Sequence, residues 1–185
     1  MDGDTNDGGS GRVSAALATA ANAQVGALGE ETARFYLEQQ LDAVVVTLGD
    51  AGMPRTGARQ DLDITAILDG TLIVFEVKTR YLSARAGKLT RTGNLPRPRL
   101  GRTSTGSRQG SQSYAADRLA DIIDTGDGYA GIDVQVIVVD FRLMLLQFFT
   151  VDDGGRLVAP VGPPAPCAEA AVAALDEILN HRGYL

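Results

Sequence analysis

The sequence predicts an α/β domain with one mixed central β-sheet flanked by helices, and three observations carry that prediction. Helical stripes and β-rich runs follow one another in the order helix, three strands, helix, two strands, helix. Asp69-Gly70 stands between two apolar runs, a strong hairpin signal. The chain has 185 residues, 44% apolar and 22% charged, enough for one domain with a real core.

Taken in order, residues 1–22 begin acidic and Gly-rich and grade into Ala-rich sequence, which reads as a disordered tail. Residues 23–185 then form a single domain. A helix is expected over about 25–41, with Ala33, Leu37 and Leu41 on one stripe. Stepping back along that stripe reaches Glu30 and Gly26, so Glu30 points toward the covered side. AVVVTLG, residues 43–49, reads as a strand, and DAGMPRTGAR as a loop.

The stretch QDLDITAILDGTLIVFEVKTR, residues 60–80, is the most informative. With Asp69 and Gly70 as a two-residue type I′ turn, Leu68 faces Thr71, Ala66 faces Ile73 and Ile64 faces Phe75. Asp63 then faces Glu76, and Asp61 faces Lys78. Alternation puts Leu62, Ile64, Ala66, Leu68, Ile73, Phe75 and Val77 on a core face. Thr65, Ile67, Leu72 and Val74 line the second face, with Asp61, Asp63, Glu76 and Lys78 at its far end.

Residues 79–116 carry Arg80, Arg85, Lys88, Arg91, Arg97, Arg99, Arg102 and Arg108, with no Asp or Glu. Gly, Ser, Thr and Pro accompany them, so a flexible Arg-rich insertion at about 81–108 is expected. A helix follows over 109–124, then two strands, IDVQVIVVDF and LMLLQFFTV, joined at Arg142. PVGPPAP reads as a Pro-rich breaker, and CAEAAVAALDEILNHR as a C-terminal helix.

Composition excludes several classes. Cys167 is the one cysteine, so no internal disulfide forms, and with His181 as the one histidine a structural zinc site is excluded. The N-terminus lacks the features of a signal peptide. Apolar runs are interrupted by charge, as at Asp140 and Arg142, so no membrane span is expected and the chain reads as cytoplasmic. His181 and Cys167 read as incidental.

Two opposed carboxylates repel when their Cβ atoms are ~5 Å apart. A protonated partner, a nearby base or a divalent cation must offset this. Converging carboxylates commonly hold Mg²⁺, which keeps waters and takes phosphate oxygens as further ligands. Lys78, two residues from Glu76, can stabilise phosphoryl charge or handle an attacking water. The plain alternative is a salt-bridged strand end.

These residues resemble a known superfamily. Asp63 with Glu76-Val77-Lys78 looks like the PD-(D/E)xK nuclease core. Gly26-Ala-Leu-Gly29-Glu30, with Ala33 and Tyr36-Leu37 after it, resembles the start of the YraN-like endonuclease family, and QDLDITA and VFEVKTR resemble its two following strands. The likeness spans residues 25–80, with weaker agreement through DVQVIVVDF. It implies a restriction-endonuclease-like core and an endonuclease hydrolysing DNA phosphodiester bonds, with branched or damaged DNA as candidate substrates. It implies Asp63, Glu76, Lys78 and Glu30 as catalytic, with Asp63, Glu76 and Glu30 around Mg²⁺ or Mn²⁺. DNA is the implied partner, and such nucleases are often homodimers.

The sequence departs from the family pattern. Gln60-Asp61 stands where the family has Gly-Glu, and a long Arg/Gly/Ser segment replaces its short basic link. SRQGSQSY stands where the next helix usually starts Lys-rich, so Gln109 or Gln112 is the candidate polar residue there. Arg80, Arg85, Lys88, Arg91, Arg108 and Gln112 are the candidate DNA contacts, since arginine contacts to phosphates supply sequence-independent affinity. The alternatives are a solvated loop around those arginines, a nuclease-fold DNA-binding module with weak catalysis, or a protein-interaction surface.

Overall fold

The computed structural model describes residues 7–48, 62–101, 110–119 and 132–182. It is an α/β fold with a six-stranded mixed sheet in the order β1-β2-β3-β4-β5-β6, flanked by helices. The elements are α1 (Asp7–Thr19), α2 (Asn22–Gln40), β1 (Val44–Leu48), β2 (Ile64–Leu68), β3 (Thr71–Arg80), α3 (Gln112–Leu119), β4 (Asp133–Asp140), β5 (Leu145–Val151), β6 (Leu157–Pro166) and α4 (Ala168–Arg182). The pair β3–β4 is parallel and the remaining pairs are antiparallel.

The hairpin has the register its turn chemistry dictates. Asp69 (φ 51°) and Gly70 (φ 75°) both take positive φ, as a type I′ turn requires. Ile64 pairs with Phe75, Ala66 with Ile73 and Leu68 with Thr71. Leu62 departs from the expected face. It packs with Leu72 and Val74 rather than with Ile64, because pairing stops at Ile64 and strict alternation stops with it.

One face of the sheet packs against α1, α2 and α4. Ile64, Ile73, Phe75, Val77, Ile137 and Val139 meet Leu28, Ala33 and Leu37 of α2 and Ala171, Ala174 and Leu175 of α4. Helix α1 corrects the expectation of a disordered tail over 1–22 for residues 7–19, and residues 1–6 lie outside the described residues. Its Val13 and Leu17, four residues apart, are both buried in this core. Gly9 lets α1 approach α4: a Cβ there would stand 2.9 Å from Val172 Cγ2. Arg12 completes the contact with an ion pair to Asp176 at 2.6 Å.

The second face has two covers. Tyr114 and Ala115 of α3 close over Leu62, Leu72, Val74 and Val134. Leu95, from the Arg-rich segment, plugs the other half against Val136, Val138 and Phe149. The described part of that segment, residues 81–101, is therefore tied down where a flexible insertion was expected. Arg80 Nη2 donates to the Pro96 carbonyl. The Asp140 carboxylate accepts from the amides of Gly87, Arg142 and Leu143. Gln147, also buried, accepts from the Leu95 amide at 2.7 Å and donates to Asn94 Oδ1 at 2.6 Å and the Gly162 carbonyl at 2.8 Å. Buried polar side chains that grip backbone satisfy both partners at once, which suits a Gly- and Pro-rich chain without secondary structure.

PVGPPAP is the end of strand β6, not a breaker. Proline is tolerated there because β6 is an edge strand and its outward positions need no donor. Helix α3 is seen over Gln112–Leu119; residues 110 and 111, expected inside the helix, precede it as non-helical residues, and 120–124 lie outside the described residues. The loop 50–59, Asp61, Arg102, Arg108 and Gln109 lie outside the described residues. No helix among the described residues is long and apolar enough to cross a membrane.

Candidate functional site

Strand β3 outruns its neighbour. The β2 ladder ends at Ile64–Phe75, while β3 continues through Arg80 beside β4 alone. Residues 76–80 thus have β4 on one side and no paired strand among the described residues on the other. Asp63 sits at a bend one residue before β2, where this gap opens. Its Oδ2 accepts the Val77 amide at 2.7 Å. A side-chain oxygen therefore takes the place of the next ladder carbonyl. The sequence placed Asp63 opposite Glu76 but did not reveal this role for Val77.

Glu76 and Lys78 project from β3 on the face of Leu72 and Val74. Glu76 is buried, and Lys78 Nζ forms an ion pair with Glu76 Oε1. Lys78 thus pairs with its own strand neighbour, while Asp61, its expected partner, is outside the described residues. Burial raises the Asp63 carboxyl first, and the nearby charges of Glu76 and then Glu30 raise it further. Lys78 and the Val77 N–H pull it back, and the result is about 8. Two of the expected offsets to carboxylate repulsion are therefore present together: a neutralising base on Glu76 and a carboxyl that holds its proton near neutrality.

Glu30 reaches the same neighbourhood from α2. Its helix lies very close to β3: a Cβ on Gly29 would stand 1.9 Å from Thr79 Oγ1. Only glycine permits that contact, and it sets the next residue, Glu30, at the rim of the sheet. Glu30 is half-buried and lines a groove of about 450 Å³ with Gly26, Val77, Thr79 and Tyr81. Its negative charge is among the causes that raise the Asp63 carboxyl, behind burial and Glu76. Among the described residues, no three of His, Cys, Asp and Glu come together as a ready metal-ligand group.

The expected DNA contacts divide. Arg80 is 5% exposed and its guanidinium holds the Pro96 carbonyl. Its Nη1 has no hydrogen-bond partner among the described residues. Burial lowers its pKa, with Asp140 opposing the shift and Arg85 adding to it. Arg80, expected as a candidate DNA contact, is thus the last residue of a buried strand face and anchors the segment after it. Arg85, Lys88 and Arg91 are exposed, and Arg85 Nη1 donates to the Arg97 carbonyl at 3.0 Å. Gln112 is exposed at the first position of α3.

The fold and the site define an α/β protein with an acid–acid–lysine cluster at an edge of β3 that no described strand pairs. Comparison of the chain with protein-family models, with curated proteins and with solved structures returned no match.

Proposed function

We propose that this chain is a metal-dependent endonuclease with a restriction-endonuclease-like core, similar to the YraN-like family, that hydrolyses DNA phosphodiester bonds. The observation that carries the reading is the burial of Asp63 and Glu76 at the gap beside β3, with Lys78 bound to Glu76. Keeping both buried carboxylates ionised there is costly even with Lys78 beside Glu76, and a divalent cation would offset that cost.

The donor set fits Mg²⁺ or Mn²⁺. Asp63 and Glu76 offer hard oxygen ligands, and Mg²⁺ binds through one or two carboxylates while keeping waters and substrate phosphate oxygens. Asp63 and Glu76 would hold the ion, with Glu30 supporting it. When bound, the ion lowers the pKa of its water and polarises the phosphoryl group. The chain's own groups do the remainder. Lys78 carries positive charge beside the reacting phosphate and orients the water. The Val77 amide fixes the Asp63 carboxylate. The exposed Arg85, Lys88 and Arg91 hold backbone phosphates. Two copies in a homodimer would offer two sites to branched DNA.

The test is incubation with labelled single-stranded, duplex, flapped and four-way DNA in Mg²⁺, in Mn²⁺ and in chelator. Glu76→Ala and Lys78→Ala are expected to lower metal-dependent cleavage by ~10²-fold or more, the scale of losing one preorganised charge-stabilising group. Cleavage that persists in both variants rejects this site. A second reading is a DNA-binding module of the same fold without effective catalysis. The lack of a three-ligand group among the described residues favours it. Salt-sensitive DNA binding without cleavage under any metal would select it.

A further inference from the structure

A second, cationic groove lies on the same side of the sheet as Glu76 and Lys78. It has a volume of about 360 Å³ and is lined by Arg97, Pro98, Arg99 and Leu100 from the segment after β3, and by Gly155, Arg156 and Leu157 from the β5–β6 turn. Among the described residues three arginines line it and no carboxylate does, in a chain of net charge −6. Separate segments bring these charges together, so chain proximity alone does not explain the cluster.

Both walls are prearranged. Arg97 donates from Nη1 to the Leu157 carbonyl at 3.3 Å and from Nη2 to the Val158 carbonyl at 2.7 Å, locking one wall to the other. The turn is held by Asp152, whose Oδ1 accepts from the Gly154 amide at 3.1 Å and the Arg156 amide at 2.7 Å. Asp152 is thereby occupied by backbone, and Asp153, the other acid of that turn, is exposed and outside the lining. The Arg99 and Arg156 side chains are exposed and carry no ion pair with any described residue. Gathering like charges around a concavity costs free energy, and a phosphate in the groove offsets it.

From this we infer that the Arg97–Arg99–Arg156 groove is a backbone-phosphate subsite for a nucleic acid strand whose scissile phosphate lies at Asp63 and Glu76. The inference rests on the nuclease reading for its ligand. The geometry suits it: the groove beside β6 is three inter-strand steps from Glu76 on β3, and its Leu157 opposes Val151, two residues along from the Glu76 row, so the separation is ~16 Å at ~4.8 Å per step and ~3.3 Å per residue. That is about five base-pair rises of a duplex at ~3.4 Å. Arginine on phosphate at that distance sets register and orientation and carries no sequence preference.

The experiment is fluorescence anisotropy of a labelled 20-base-pair duplex and a 20-mer single strand against the full chain in chelator, over a salt series. Wild type, Arg99→Ala/Arg156→Ala and Arg99→Lys/Arg156→Lys are compared, with thermal melts to check folding. The alanine pair is expected to make the slope of log K against log salt shallower by about 2, roughly one per lost phosphate contact, and the lysine pair to restore it. An unchanged slope in the alanine pair overturns the subsite, as does a wild type that binds neither DNA. Cleavage of the same duplex in Mn²⁺ is scored separately. A changed slope without cleavage keeps the subsite and rejects the nuclease, and cleavage with an unchanged slope does the reverse.

Discussion

Asp63 is the residue whose chemistry is most altered by the fold. Its carboxyl is raised to about 8, with burial as the largest cause and Glu76 and Glu30 next. An unfolded aspartate titrates near ~3.9. Between those values the folded chain keeps a proton that the unfolded chain has released. Stability therefore falls as pH rises from about 4 to about 8, and this contribution levels off above. Asp63→Asn keeps an acceptor for the Val77 amide and removes the titration. Its melting temperature should exceed that of wild type at pH 8, by an amount equivalent to a few kcal/mol at ~1.4 kcal/mol per pKa unit. The gap should close as pH falls toward 5. A variant less stable than wild type at pH 8 would mean that Asp63 is ionised and well satisfied in the metal-free protein.

At the scale of elements, the contact between α2 and β3 decides where the helix acid sits. Gly29 lies against Thr79 with no room for a side chain. Gly29→Ala should push α2 from β3 and lower stability by ~1–3 kcal/mol, the usual cost of overpacking. Because Glu30 is the next residue, the same change should weaken its hold on Asp63, which NMR titration of the Asp63 carboxyl would read as a fall in pKa. Gly29→Ala with an unchanged melting temperature would show that the helix and strand have slack. The Gly-x-x-Gly-Glu spacing was legible in sequence, yet its reason was not. Thr79 is 50 residues further along, and a one-dimensional pattern does not reveal which atoms a glycine leaves room for. The hairpin was legible for the opposite reason. Its register follows from two adjacent residues with positive φ, a purely local constraint.

Across the whole molecule, the sheet buries one face under three helices and shares the other between α3 and an ordered Arg-rich wrap. The acids gather at the edge of β3 left unpaired among the described residues, and arginines line the β6 side of the same face. A cation at the acid site would stabilise the folded chain by mass action, since the unfolded chain has no such pairing. Millimolar Mg²⁺ or Mn²⁺ should raise the melting temperature of wild type at pH 8, the added stability reaching ~2.7 kcal/mol at 100-fold excess over Kd. Glu76→Ala should abolish the shift. An equal rise in that variant would assign the effect to metal binding elsewhere.

By itself the sequence determined what depends on near neighbours: the α/β class, the hairpin and its register, and the grouping of Asp63, Glu76 and Lys78 on one strand pair. Each follows from periodicity or turn chemistry within a few residues. Tertiary structure decided the rest. A Gly-rich tail became α1 because Val13 and Leu17 found a core and Gly9 found Val172. An arginine-rich loop became a sheet cover because Asp140 and Gln147 hold its backbone and Leu95 fills the face beneath. Arg80 became an anchor, and β6 formed from a proline-rich run at an edge where missing donors cost nothing. Those outcomes depend on contacts between residues far apart in the chain, where composition argues for flexibility and burial overrules it.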